Sequence, residues 1–213
     1  MHQSSFLRME WFVNTWLANA GHQPAEKISV IDIGSYDVNG SYLPLFPESR
    51  FRYTGLDMEP GPNVDIVPQK TYDWREIPNN AYDVVISGQA LEHIEFFWVT
   101  FSEMVRILKP DGLMCLIAPR DHERHRYPID AYRYDADGFA ALAKYGNLTP
   151  LHISTNEAPA GAPKEWFSTS GDTLLVARKP LSWSGMLDIK AYAYEEWSME
   201  ALRTGFLTAD QHP

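Results

Sequence analysis

Short apolar runs rich in β-branched residues recur along this chain, and turn or helical segments separate them. The clearest runs are ISVIDIG at 28–34, FRYTGLD at 51–57, AYDVVIS at 81–87 and GLMCLIAP at 112–119. Such runs, bounded by turn residues, are typical of strands buried on both faces of a parallel sheet. Because helical segments alternate with them, the chain is predicted to form an open, mostly parallel α/β sheet with helices on both faces.

Further segments extend this pattern. VDIVP at 64–68 is a weaker strand candidate, and TPLHIST at 149–155 and DTLLVARKP at 172–180 are two more. Apolar residues at helical spacing predict helices, which are, in chain order, 5–20, 93–108, 135–146 and part of the tail 181–213. In a sheet of this kind ligands bind beyond the carboxyl ends of the strands.

The length and charge of the chain limit what it can contain and contact. Its 213 residues suit one domain, and we expect a single domain over 1–213. The net charge of −10 and the lack of a basic cluster argue against nucleic acid and an anionic membrane as partners. The N-terminus does not resemble a signal peptide and no run approaches ~20 apolar residues, which predicts a soluble cytoplasmic protein.

A single cysteine, Cys115, lies inside the apolar run LMCLIAP. One cysteine excludes an internal disulfide and any metal site built from several cysteines. We therefore expect a buried free thiol at this position.

The loops after the first two predicted strands carry residues typical of a nucleoside site. Gly34 directly follows the first strand, where a glycine lets the backbone approach a ligand. The loop lacks the G-x-G-x-x-G of a pyrophosphate turn and the G-x-x-x-x-G-K-[ST] of a triphosphate loop, which argues against NAD and ATP. Asp57 ends the second strand, where a carboxylate can accept hydrogen bonds from ribose hydroxyls. An exposed turn aspartate is the alternative.

An ordered set of motifs resembles the class I S-adenosylmethionine-dependent methyltransferases, especially the branch with Leu-Glu-His after the fourth strand. The motifs are VIDIGS, YTGLDMEPGPNVDIV and YDVVISGQALEHIEFFWVTFSEMVRILKPDGLMCLIAP. The resemblance implies a Rossmann-like three-layer sandwich, whose seven-stranded, mostly parallel sheet has one antiparallel edge strand. It also implies S-adenosylmethionine as the cofactor. In the first loop, Tyr36 and Val38 stand where the commoner pattern has closely spaced glycines.

The resemblance implies a cofactor site at the strand ends. Its residues are, in chain order, Asp32, Gly34, Ser35, Asp57, Met58, Asp73, Trp74, Gly88 and Gln89. The first three would line the methionine end of the cofactor. Asp57 would hold the ribose, and the next three would lie near adenine. The last two, with Leu91-Glu92-His93, would form the wall near the reactive methyl group.

Two histidines are the candidate catalytic residues. His93 follows the fourth predicted strand at the ligand end, and an unperturbed imidazole titrates near pH 6.5, which suits a general base. The alternative is a histidine that caps or packs the start of the helix at 93–108, or that forms part of the cofactor wall. His125, in the loop after the fifth predicted strand, is the second candidate.

That loop, residues 120–134, concentrates imidazole, guanidinium and phenol groups above the predicted cofactor site. These groups could hold an acceptor with several hydroxyl or carboxylate groups, and a solvated loop with a few salt bridges is the alternative. Candidate substrate-binding residues are His122, Arg126, Tyr127, Asp130 and Arg133. His122-x-x-His125 could be a metal site, but it lacks a third ligand at an expected spacing, so no metal is expected.

The expected architecture comprises an N-terminal helix at 5–20, a cofactor-binding core at 28–120, an acceptor loop at 120–134 and C-terminal strands with a tail at 149–213. Trp11 and Trp16 could form a lid over the site or close the core. The expected function is methylation of a small polar metabolite, with oxygen of a sugar or glycan-related acceptor as the specific hypothesis. The alternatives are a catalytically inactive S-adenosylmethionine-binding scaffold or partner subunit, and an NAD-dependent oxidoreductase. A homodimer is left open.

Overall fold

The structure is a computed structural model that describes residues 3–18, 27–155 and 171–189. In these residues six strands form one sheet. The strands are, in chain order, β1 (Ile28–Ile33), β2 (Phe51–Leu56), β3 (Tyr82–Gly88), β4 (Leu108–Asp121), β5 (Thr149–Thr155) and β6 (Gly171–Arg178). Their order across the sheet is β2-β1-β3-β4-β6-β5. Among the described strands, β6 alone runs opposite to the other five, so it pairs antiparallel with β4 and β5. The predicted mostly parallel α/β sheet is confirmed, and its antiparallel strand lies one place in from the edge.

The weaker strand candidate at 64–68 does not become a seventh strand. It contributes one parallel bridge, between Leu56 and Ile66. The backbone N–H groups of Asp65 and Ile66 both donate to the carbonyl of Gly55, at 2.8 and 2.9 Å, while the Asp65 carboxylate accepts from Gly55 N at 2.8 Å. A segment that converges on one glycine in this way cannot continue a ladder, so the described sheet has six strands.

In the described part of the chain, three α-helices cover the sheet: α1 (Gln3–Phe12), α2 (Phe97–Ile107) and α3 (Ala136–Tyr145). The predicted N-terminal helix continues beyond α1 as a π-helical turn over Val13–Leu17. The helix predicted from residue 93 begins later, because Leu91–His93 form a separate 3₁₀ turn. Positions 190–213 of the predicted tail helix lie outside the described residues. None of the helices described is long and apolar enough to cross a membrane.

The two faces of the sheet carry two apolar cores, as a three-layer sandwich requires. On one face α2 and α3 bury residues such as Phe101 and Phe139 against the sheet. On the other, α1 buries Met9 and Phe12 in the cluster that contains Cys115. Cys115 is fully buried in β4, which confirms the expected free thiol, and burial raises its pKa well above the ordinary value.

A buried ion pair joins α1 to the sheet. Arg8 Nη1 lies 3.5 Å from Asp172 Oδ2, and the two side chains are only 1% and 0% exposed. Ser4 Oγ donates to the same carboxylate oxygen at 2.7 Å, and Gln89 Nε2 donates to the other at 2.9 Å. The carboxylate of Asp172 on β6 therefore links α1 to Gln89, which follows β3.

Candidate active site

A cavity of about 580 Å³ opens at the carboxyl ends of β1, β2 and β3. Its volume lies in the range usual for small-molecule sites. Ile33 pairs with Leu56, and Asp32 with Ile86, so the three strands end at one level. Of the candidate residues, the structure brings these to the cavity: Asp32, Gly34, Ser35, Asp57, Met58, Trp74, Gly88, Gln89, His93, His125, Arg126 and Tyr127.

Gly34 shapes the floor of the cavity. Its φ is +81°, and a Cβ at this position would lie 2.4 Å from the Cβ of Ala90. The backbone N–H groups of Gly34 and Ser35 both donate to the carbonyl of Leu56, at 2.9 and 3.1 Å. This close approach of two loops requires a residue without a side chain.

The glycines missing from the first loop are compensated in the second. A Cβ on Gly61 would lie 2.1 Å from the ring of Tyr36, so Tyr36 packs directly over Gly61. Ser35 Oγ donates to the carbonyl of Asn63 at 2.8 Å, and Asn63 Nδ2 donates to the carbonyl of Ser35 at 2.9 Å. The second loop thus holds the first in place and makes room for its larger side chains.

Two carboxylates occupy the strand ends. Asp57 is half-buried; its Oδ2 accepts from Tyr36 N at 3.1 Å and its Oδ1 from Glu59 N at 3.3 Å. Asp32 is 3% exposed and accepts from the Tyr53 hydroxyl at 2.5 Å. Burial raises the pKa of Asp32 to about 7. A buried acid of this kind is stabilised in its ionised form by a nearby cation.

Gln89 lies where β3 leaves the sheet, with a φ of +59°. Its Oε1 is buried and has no hydrogen-bond partner among the described residues. Gly88 beside it leaves no room for a side chain, since a Cβ would lie 1.9 Å from the Tyr42 hydroxyl. A buried acceptor oxygen on the cavity wall, the cradle at Gly34 and the carboxylates Asp32 and Asp57 together fit a cationic nucleoside ligand.

The loop between β4 and α3 folds back over the 3₁₀ turn that follows β3. Ala131 N donates to the carbonyl of Glu92 at 2.8 Å, and the Tyr134 hydroxyl donates to the carbonyl of Leu91 at 3.0 Å. These bonds bring the predicted acceptor loop to the rim of the cavity.

The rings of His93 and His125 meet at this rim, with centroids 4.9 Å apart. His93 Nδ1 lies 2.5 Å from the carbonyl of Ile129, and burial lowers the pKa of His93. His125 Nδ1 lies 3.0 Å from the carbonyl of Glu123. His93 does not cap α2, which begins four residues later without a side-chain cap.

The remaining acceptor-loop candidates do not line the cavity. Asp130 pairs with Arg133 inside the loop and accepts from His125 N at 2.7 Å. The hydrogen bond from Arg133 holds the pKa of Asp130 well below its usual range. His122 Nε2 lies 3.7 Å from Asp172 Oδ1. These three residues therefore shape the loop around the cavity.

With this geometry established, comparison with known proteins decides the family. The model of the methyltransferase domain family matches residues 7–145. The chain belongs to the methyltransferase domain family. Membership agrees with the predicted resemblance to methyltransferases that use S-adenosylmethionine, and it argues against the NAD-dependent oxidoreductase.

A curated protein is similar to part of this chain. An uncharacterised methyltransferase of Mycobacterium leprae is 29% identical over 113 residues, which are 47% of this chain and 40% of that protein. The chain thus spans less than half the length of this curated relative.

Solved structures share the fold of this methyltransferase. One is the Burkholderia thailandensis 1,6-didemethyltoxoflavin-N1-methyltransferase, solved with bound 1,6-didemethyltoxoflavin and S-adenosylhomocysteine. Its TM-score is 0.60 at 15% identity, and the match covers 84% of this chain and 80% of that one. Another is a SAM-dependent methyltransferase from Aquifex aeolicus, with a TM-score of 0.54 and 14% identity. The match covers 84% of this chain and 100% of that one.

The placement of two adenine-side candidates in this methyltransferase differs from expectation. Asp73 lies outside the cavity and pairs with Lys70 at 3.6 Å and Arg75 at 2.9 Å. Trp74 borders the cavity but is only 2% exposed, and its Nε1 donates to the carbonyl of Thr71 at 3.1 Å. Nor do Trp11 and Trp16 line the cavity; both pack against the core beneath α1, which favours core closure over a lid.

Glu92, which the sequence places only in the wall segment Leu91-Glu92-His93, has an unusual environment. Glu92 is 0% exposed, and neither of its carboxylate oxygens has a hydrogen-bond partner among the described residues. Its Oε1 lies 3.6 Å from His93 Nε2, and burial raises its pKa to about 8. The signal in the sequence is an acidic residue between the apolar Leu91 and the candidate catalytic His93.

Proposed function

We propose that this methyltransferase transfers the methyl group of S-adenosylmethionine to an oxygen atom of a small polar acceptor, of which a sugar or glycan-related molecule is the specific hypothesis. The observation that carries the proposal is that one cavity is bordered on one side by Gly34 and Asp57 and on the other by His93, His125 and Arg126. Arg126 forms no ion pair within the described residues, so its guanidinium is available to an anionic or hydroxyl-rich acceptor.

Residues on the strand-end side would hold the cofactor, which supplies an electrophilic methyl group on a sulfonium. Asp57 would accept hydrogen bonds from the ribose hydroxyls, and Asp32 would face a positive charge. Gln89 Oε1, which lacks a partner among the described residues, would accept a further hydrogen bond. The protein contributes chiefly by holding two reactants in line.

On the acceptor side, the imidazoles supply a route for the proton. His93 Nδ1 faces a carbonyl oxygen and must donate to it, which leaves the lone pair of the neutral ring on Nε2. That nitrogen can accept a hydroxyl proton as the acceptor oxygen attacks the methyl carbon.

The test is calorimetry of the full chain with S-adenosylmethionine and S-adenosylhomocysteine, followed by an acceptor screen that detects S-adenosylhomocysteine. Saturable heat and turnover on a hydroxylated acceptor are expected. An absence of heat with both compounds would refute the proposal. Binding without turnover on any acceptor would favour the inactive scaffold instead, which the unusual first loop makes the second candidate.

Asp57→Ala is expected to weaken the binding of S-adenosylmethionine at least tenfold. The substitution removes an anionic acceptor at the end of β2, and a hydrogen bond to a charged group contributes about 1.5–3 kcal/mol. Calorimetry measures the dissociation constant. Asp73→Ala is the matched control, because Asp73 lies outside the cavity, and it should leave that constant unchanged. Equal dissociation constants for Asp57→Ala and the wild type would show that Asp57 does not bind the ribose.

Cofactor affinity is expected to rise with pH up to about 7. Asp32 has a pKa of about 7 in the free protein, so below that value it is mostly protonated and cannot attract a cation. Binding a cationic cofactor favours the ionised form, and a proton is released. Dissociation constants at a series of pH values check this. In Asp32→Asn the dissociation constant should depend less on pH. If its dependence on pH is unchanged, a group other than Asp32 causes it.

A further inference from the structure

A buried carboxylate without hydrogen-bond partners requires an explanation. Glu92 is 0% exposed, and neither oxygen accepts a hydrogen bond from another described residue. Burying such a group costs several kcal/mol unless a cation or a set of donors compensates. Its Oε1 lies 3.6 Å from His93 Nε2, so the carboxylate points toward the rim of the cavity where the two histidines meet.

The two histidines present the nitrogen atoms that a metal ion prefers. Both Nδ1 atoms face backbone carbonyls, of Ile129 for His93 and of Glu123 for His125. A carbonyl oxygen only accepts, so Nδ1 carries the proton in the neutral ring and Nε2 keeps its lone pair. Histidines that bind metals are usually oriented by such a second hydrogen bond.

We propose that Glu92, His93 and His125 bind a divalent transition-metal ion of the Zn²⁺ type. One ligand atom from each residue lies within 4.8 Å of the others. Around a tetrahedral Zn²⁺, with bonds of about 2.1 Å, ligand atoms are separated by about 3.4 Å. The Glu92–His93 separation of 3.6 Å is already close to this value. His125 lies on the exposed loop and is the ligand that would move inward.

The donor set selects the metal. Two imidazole nitrogens and one carboxylate suit Zn²⁺ and neighbouring transition metals, whereas Mg²⁺ and Ca²⁺ prefer all-oxygen sites. A site with three protein ligands keeps a position open, as catalytic zinc sites do. The sequence-based expectation of no metal concerns His122-x-x-His125 and the acids beside it, whereas the structure places His125 against His93, which follows β3.

This inference rests on the proposed function and refines its acceptor side. A cation at the cavity rim would bind the acceptor oxygen and lower the pKa of its hydroxyl. The hydroxyl proton then leaves to water, the oxygen forms a bond to the methyl carbon, and the carbon–sulfur bond breaks with its electron pair going to sulfur. The products are the methyl ether and S-adenosylhomocysteine, with no oxidation or reduction. His93 and His125 would then act as ligands, and water would take the proton.

The test begins with the untagged full chain, freed of metal by dialysis against a chelator. ZnCl₂ is titrated by calorimetry, and CoCl₂ by visible absorption, whose d–d bands report the coordination geometry of the bound ion. We expect one equivalent of each metal to bind. Glu92→Gln and His125→Ala should each weaken binding more than ~100-fold. His152→Ala, on β5 beside Trp11, is the control and should bind as the wild type does.

Two results would overturn the metal site: no stoichiometric binding by the wild type, or unchanged affinity in both Glu92→Gln and His125→Ala. His125→Ala keeps the test decisive if Glu92→Gln fails to fold, because His125 lies on an exposed loop. Calorimetry with S-adenosylmethionine on metal-free protein separates the two proposals. Retained cofactor binding without metal binding would refute the cation alone, whereas loss of cofactor binding in every form would refute the proposed function.

Discussion

Asp172→Ala is expected to lower the free energy of unfolding by about 3–5 kcal/mol, the usual effect of removing one partner of a buried ion pair. The guanidinium of Arg8 stays 1% exposed while the carboxylate that faces it disappears. Ser4 Oγ and Gln89 Nε2 also lose the oxygens to which they donate. Urea unfolding followed by circular dichroism measures the change, with the slope of the transition checked for constancy.

The matched control is an exposed pair. Lys27 and Glu48 lie 3.3 Å apart with side chains 47% and 93% exposed, so Glu48→Ala should change stability by less than about 1 kcal/mol. The double variant Arg8→Met with Asp172→Leu should recover much of the loss, because it removes both charges together. A loss in Asp172→Ala as small as that in Glu48→Ala would show that the buried pair does not hold α1 to the sheet.

Gly34→Ala is expected to destabilise the fold by about 2–4 kcal/mol and to weaken cofactor binding at least tenfold. The φ of +81° costs a residue with a side chain about 1 kcal/mol, and the contact of 2.4 Å with the Cβ of Ala90 adds an overpacking cost of about 1–3 kcal/mol. Relief of the contact would shift the loop that borders the cavity. Urea unfolding and calorimetry with S-adenosylmethionine measure the two effects.

A second substitution separates the two causes. Gly34→Ala combined with Ala90→Gly removes the contact but keeps the backbone strain, so it should recover the overpacking part alone, after correction for Ala90→Gly measured singly. Gly138→Ala is the control, since nothing lies within 4 Å of a Cβ in this helix, and it should be neutral or stabilising. If Gly34→Ala were as stable as Gly138→Ala, the close approach of the loop at Gly34 to Ala90 would not require a glycine.

Strand periodicity predicted the sheet well because burial on both faces leaves a clear local signal. The run at 28–34 differs from the observed β1 by one residue. The candidate at 64–68 failed for a reason that periodicity cannot detect, since its backbone groups converge on Gly55 instead of continuing a ladder. The helix predicted from residue 93 is too long, because the apolar residues at helical spacing begin only at Phe97 and Leu91–His93 form a separate 3₁₀ turn.

The candidate site divides in the same way. Gly34 and Asp57 follow strands directly, so strand positions alone bring them to one edge of the sheet. The meeting of His93 with His125 depends on a loop that folds back through Ala131 and Tyr134, which no local pattern encodes. Asp73 was assigned by its order in the chain, yet two nearby cations hold it outside the cavity.

The burial of Cys115 gives the protein a built-in reporter of its own opening. The chain has one cysteine, and it lies fully buried in β4, paired with Ile86 on β3 and Val176 on β6. A thiol reagent can reach it only when α1 leaves this face of the sheet or the central strands separate, and buried thiols are otherwise inert. The rate at which this single site becomes alkylated in native buffer therefore reports these openings, in unlabelled wild-type protein and in every variant that keeps the thiol.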